Sequence, residues 1–202
     1  MIKLLLAPFL LLFLFENPAK NGTPVPNAGC RCGDFSAPRF RALVLYENGG
    51  HHIEYSERAM AWLNKLAADS NFRIDYITNT DGINEANLSD YQLIIQLDYA
   101  PYGWKHAAVS AFQNFIEQGK GGWIGFHHAS LLGEFDGYPM WQWFSAFMGG
   151  IRWKNYIARF ARATVQVEDR LSPVMQGVPD SFVVQKEEWY TYDKSPRPNV
   201  HV

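Results

Sequence analysis

The chain has 202 residues, 48% of them hydrophobic and 15% aromatic, which is too apolar for a disordered protein and enough for one large domain or two small ones. Lys and Arg number 18 against 20 Asp and Glu, a net charge of -2, so there is no basic footprint for a phosphate backbone and nucleic acid is not an expected partner. The 2 cysteines, Cys30 and Cys32, are too close for ordinary disulfide geometry and too few for a zinc knuckle, which leaves histidines and carboxylates to carry any metal chemistry.

Residues 1–15 read as a signal-like segment, with Lys3 supplying charge and Leu4 to Phe15 apolar up to Glu16. The run is shorter than the roughly 20 residues of a bilayer-spanning helix, and Pro8 interrupts it. Export to the periplasm or the extracellular side is therefore expected, not a stable membrane span. Ala28-Gly29-Cys30 resembles the tail of a lipoprotein signal, but Asn27 does not fit that pattern, and lipidation is the less favoured reading. Residues 16–39, rich in Pro, Asn, Gly and Ala, are expected to be a linker to a domain over residues 40–202.

Within that domain, Ala42 to Tyr46 reads as a buried parallel strand running into the loop Glu47 to Glu54. Ser56 to Asp69 follows as a helix with Ala59, Trp62, Leu63 and Leu66 on its inward stripe. Phe72 to Ile77 alternates as a strand nearer an edge, and after a polar loop Leu93-Ile94-Ile95 supplies another. A helix from Trp104 to Gln118 buries Ala108, Ala111, Phe112, Phe115 and Ile116 and stops at Gly119. Gly122 to Phe126 is a fourth strand, ending at His127-His128. This order predicts an α/β domain with an open, mostly parallel sheet and helices on both faces, whose ligand site lies at the carboxyl ends of the strands. Beyond it, Pro139 to Met148 reads as a short aromatic helix, and Arg159 to Val167 and Phe182 to Val184 as strands with a solvated face. Asn199 to Val202 looks like the start of another strand.

Five of the six histidines fall in or beside the loops that such a sheet gathers at one end: His51, His52, His106, His127 and His128. Histidine suits both proton transfer near neutrality and metal ligation, although one of each adjacent pair could be merely packed or solvated. Gly125 to Ala129 has the form of a nucleophile elbow with His127 at its tip. No Ser or Cys sits there, which disfavours a covalent acyl-enzyme and leaves acid-base work or metal ligation. Glu187 and Glu188 offer a carboxylate. Glu188 is followed by Trp189, Tyr190 and Tyr192, and aromatic rings beside acids are a means of holding sugars.

From about Arg41 to Val202 the chain resembles the ThuA-like (trehalose utilisation) family. The resemblance rests on the first strand and its His51-His52 loop, on Gly122 to His127, on Ser172-Pro173-Val174-Met175-Gln176-Gly177-Val178-Pro179, and on Glu187-Glu188-Trp189-Tyr190 leading to Pro196-Arg197-Pro198-Asn199-Val200-His201-Val202. It implies a flavodoxin-like fold similar to class I glutamine amidotransferases, with His127 where those enzymes keep a cysteine, and a role in sugar catabolism on trehalose or an oxidised (3-keto) disaccharide. Two departures stand out. Family members continue past the equivalent of Val202 with further strands, one glycine-rich and ending in Gly-His beside the presumed site, so the domain is expected to lack its C-terminal strands. His128 also stands where small residues are usual.

The resulting expectation is an exported carbohydrate-processing protein, a lyase or hydrolase and not a glutamine amidotransferase. His127, Glu188 and His52 form the catalytic set, and the same three are the candidate ligands for a divalent metal, zinc or manganese. Trp189, Tyr190, Tyr192 and Asn48 contact the substrate, a small carbohydrate. No nucleotide cofactor is expected, and a homo-oligomer is compatible with this reading. The alternative is a non-catalytic sugar-binding or structural module that retains the fold.

Overall fold

The computed structural model describes residues 37–157 and 159–202. The signal-like segment, both cysteines and nearly all of the expected linker lie outside these residues. Four parallel strands form the central sheet: β1 (Arg41–Leu45), β2 (Arg73–Ile77), β3 (Leu93–Gln96) and β4 (Gly122–Gly125), in the order β2-β1-β3-β4. Their tips are level, with Leu45 beside Ile77 and Gln96, and Gln96 beside Gly125. The residues that follow β1, β3 and β4 are thereby delivered to one edge.

The two faces of β1 explain the helix placement. Ala42 and Val44 pack with Ile95, Leu97 and Leu63 of α1 (Ile53–Ser70), with Ala59 and Met60 of the same helix against them. Leu43 and Leu45 pack with Ile94 and with Ala108, Ala111, Phe112, Phe115 and Ile116 of α3 (His106–Glu117). Alternating side chains along a strand require apolar cover on both faces, and the two helices supply it. The expected stripe of α3 is buried residue for residue. At its end Gly119 takes φ +63°, and the N–H groups of Gly119 and Lys120 donate to Ile116 and Phe115 at 3.0 Å each. The stripe of α1 differs from expectation: Ser56, Leu63 and Ala67 are buried, whereas Trp62 is 47% exposed. The helix starts three residues earlier than its periodicity suggested, and Ser56 in its first turn is buried against Asp98, to which its hydroxyl donates at 3.0 Å.

The polar loop after β2 contains a short α2 (Glu85–Leu88), which periodicity over so few residues cannot reveal. Asn84 and Asn87 cap it reciprocally, each side chain accepting the other's backbone N–H. The aromatic helix α4 (Gln142–Phe147) places Phe144 in the core, where its ring meets Phe112 and Trp123 at 5.7 and 5.5 Å. Two antiparallel ribbons complete the described chain: β5 (Trp153–Tyr156) with β8 (Tyr190–Tyr192), and β6 (Ala161–Gln166) with β7 (Ser181–Glu187). Asn199 to Val202 is not the start of a strand. Pro196 and Pro198 lack backbone donors, the chain turns instead, and the N–H groups of Asn199 and Val200 both donate to the Pro196 carbonyl. Among the described residues no helix is long and apolar enough to cross a membrane.

Candidate functional site

The chain leaves β1 toward β2 on one side and places β3 on the other, so the crevice between β1 and β3 is the topological switch point of the sheet. Two carboxylates follow those strands. Asp98 is fully buried and accepts the Glu47 backbone N–H at 2.7 Å and the Ser56 hydroxyl at 3.0 Å. Burial pushes its carboxyl above the ordinary range, opposed by those two hydrogen bonds. Asp98 thus fastens the loop after β1 and the first turn of α1 to the end of β3.

Glu47, fixed by its backbone, turns its carboxylate to two histidines: Oε2 lies 3.2 Å from His52 Nδ1 and 3.1 Å from His128 Nδ1. A carboxylate oxygen accepts, so both Nδ1 atoms donate to Glu47 and its position orients the two rings. The His52 ring, 8% exposed, meets His128 edge-on at 4.2 Å and His127 at 5.1 Å, while His127 and His128 stack at 4.5 Å. One ligand atom from each of these three residues lies within 4.8 Å of the other two, a set able to hold a metal ion. Glu47, His52 and Asp98 make a second set of the same kind.

His127 occupies the elbow in the expected manner. It follows β4 at the head of a short 3-10 turn (His127–Ser130), and its φ of 45° is left-handed, a conformation that disfavours a residue with a Cβ. Gly125 is required two residues earlier, because a Cβ there would lie 2.1 Å from the Trp123 ring and 3.0 Å from the Ala129 Cβ. The strained residue is held by a relay: the Tyr192 hydroxyl donates to Ser130 Oγ at 2.8 Å, and Ser130 donates to the His127 carbonyl at 2.7 Å.

Strand β8 closes the other side. His127 Nε2 lies 3.4 Å from Glu188 Oε2 and 3.3 Å from the Tyr190 hydroxyl, and the Tyr190 ring stacks on the imidazole at 4.9 Å. Burial, followed by the adjacent Glu188 charge, raises the Tyr190 hydroxyl well above the ordinary phenol range, so it remains a donor at neutral pH. From Tyr190 an aromatic series continues through Trp153 at 6.1 Å and Phe135 at 5.4 Å to Tyr102 at 5.5 Å.

The fold therefore brings His52, His127, Glu188 and Tyr190 together. Tyr192 is engaged with Ser130, and the Trp189 indole N–H donates to the Ala161 carbonyl at 2.8 Å. Asn48 is exposed in the loop beside Glu47, and His106 is exposed at the start of α3. The side chain of His51 lies outside what is described. Sequence reasoning missed Glu47, Asp98 and His128 as members of the site. Glu47 and Asp98 each lie two residues beyond the end of one of two neighbouring strands, and that position was the available signal.

The family model described as ThuA, trehalose utilisation, matches residues 41–202. A crystallised ThuA-like protein from Bacteroides uniformis is 32% identical, with a TM-score of 0.72 over 88% of this chain and 68% of its own. One from Parabacteroides merdae, 16% identical with a TM-score of 0.56, shares the fold over 76% of this chain and 62% of its own. Among curated proteins no match was found. The extent of the family match and the identity to the Bacteroides protein establish that the chain belongs to the ThuA (trehalose utilisation) family.

Proposed function

We propose that the protein is a carbohydrate-processing enzyme acting on trehalose or a related 3-keto disaccharide, with proton transfer at the His127–Glu188 pair. The observation that carries this is the placement of Glu188 Oε2 3.4 Å from Nε2 of His127, which sits on a strained elbow after β4. The family's association with trehalose supplies the substrate class. A sugar ring lies against the aromatic series that begins at Tyr190, its hydroxyls within reach of Glu188 and the neighbouring loop.

A ketone acidifies the carbon beside it, which brings removal of that proton within the capacity of a carboxylate. Glu188 takes the proton, and the C–H electrons form a double bond to the anomeric carbon. The glycosidic C–O bond breaks, and the leaving oxygen takes a proton from His127 or Tyr190. The products are an unsaturated keto-sugar and a free sugar, a lyase outcome; addition of water to the double bond would complete a hydrolysis. The apolar leader read in residues 1–15 supports export as the setting for this chemistry.

Product analysis on a 3-keto disaccharide tests the reading. The wild-type chain is expected to release free monosaccharide, and Glu188→Gln to lose on the order of 10²–10⁴ in turnover while retaining substrate affinity within about tenfold. Unchanged binding with no turnover by the wild type would instead identify a sugar-binding module.

A further inference from the structure

We propose that His52, His127 and His128 form a centre for one divalent transition cation, zinc by its donor set, with Glu47 holding two of the rings from outside the ligand shell. The three ligand atoms lie within 4.8 Å of one another. Small side-chain rotations bring such a set to the roughly 2.0–2.1 Å bonds of zinc to imidazole. Three nitrogen donors without thiolate are the donor set of a zinc site that keeps a position open for substrate.

Glu47 makes this a built arrangement. Its Oε2 lies 3.2 Å from His52 Nδ1 and 3.1 Å from His128 Nδ1, so each of these rings offers Nε2 as its ligating atom. A carboxylate on the far nitrogen of a histidine is the usual means by which proteins orient a metal-binding ring and raise its basicity. Glu47 is itself anchored through its backbone N–H to the buried Asp98, which ties the loops after three strands into one support.

In the sugar reaction proposed above, and resting on that reading, the cation would stabilise charge developing on the substrate oxygen, while Glu188 still takes the proton and Tyr190, not the ligated His127, gives one to the leaving oxygen. The site itself does not depend on that reaction.

The test uses the full chain, treated with a chelator, checked for native circular dichroism, and titrated with zinc chloride by calorimetry and with cobalt(II) by visible absorption. One zinc per chain is expected, with cobalt bands of a four- or five-coordinate centre. His52→Ala and His128→Ala should each weaken zinc binding by about 100-fold or more, and Glu47→Gln by about 10–100-fold. Asp75→Asn, far from these histidines, should leave zinc affinity within about threefold. A folded wild-type chain that takes up no stoichiometric zinc overturns the proposal, as does zinc binding unaffected by both histidine replacements. If the buried His52→Ala variant fails to fold, His128→Gln and the wild-type cobalt spectrum still decide. A chain that binds zinc through these histidines yet turns over no keto-sugar upholds the site and overturns the sugar reading.

Discussion

The Glu47 carboxylate lies 3.1 Å from His128 Nδ1, across 81 residues of sequence and between the ends of two strands that are not neighbours in the sheet. Since the same oxygen also meets His52 at 3.2 Å, this one side chain sets the orientation of two of the three clustered rings. Glu47→Gln replaces an acceptor of two N–H groups with a neutral amide. Its half-exposed position limits the stability loss to about 1 kcal/mol by urea denaturation. Turnover should fall more, by about 10–100-fold.

Asp98 has a structural task in the same support. Asp98→Ala leaves the Glu47 N–H and the Ser56 hydroxyl without their buried acceptor, and an expected loss of about 3 kcal/mol follows from two unsatisfied donors. Urea midpoints of Asp98→Ala and Asp98→Asn should separate clearly, because Asn keeps an acceptor oxygen. Equal losses would show that the charge and not the hydrogen bonding matters.

The left-handed backbone at His127 predicts an unusual ordering of variants. Glycine has no Cβ to crowd in this conformation, so His127→Gly should be more stable than His127→Ala by about 1 kcal/mol, although both remove the imidazole and both abolish turnover. Thermal unfolding of the pair reads this directly, and an Ala variant equal to or above Gly would mean that the elbow relaxes out of the left-handed region.

Far from the site, Arg41 donates to Asp75 at 2.7 Å between β1 and β2. The guanidinium holds the Asp75 carboxyl below its usual range. A depressed carboxylate contributes stability above its unfolded pKa of about 3.9 and loses it as pH falls through the lower folded value. Both side chains are more than a third exposed, so Asp75→Asn should lose less than about 1 kcal/mol at neutral pH. The gap to wild type should close as the pH drops below about 4, measured as urea midpoints across the acid range.

The parallel sheet was legible in the sequence because buried strands and amphipathic helices impose local periodicity, as the buried stripe of α3 illustrates. The ribbon of β5 and β8 was harder to see: these strands have only 4 and 3 residues, too few to display alternation, and their pairing spans a long stretch of chain. At the site, His52, His127 and Glu188 were legible as histidines and an acid in the loops that follow strands, and the fold brings them together. Glu47 and Asp98 were not, because a lone acid after a strand resembles any solvated loop residue until the third dimension shows what it touches. His128 was hidden by adjacency, since neighbouring residues in a regular strand point to opposite faces, and only the sharp turn at His127 stacks the two rings at 4.5 Å.

The most direct test of the account is exchange of the proton beside the ketone of a 3-keto disaccharide, followed by proton NMR in deuterated buffer. The account predicts that the wild-type chain removes this signal far faster than buffer alone and that Glu188→Gln, folded and still binding the sugar, is slower by on the order of 10²–10⁴. Exchange at the buffer rate in the presence of bound wild-type protein, or undiminished exchange with Glu188→Gln, would contradict it.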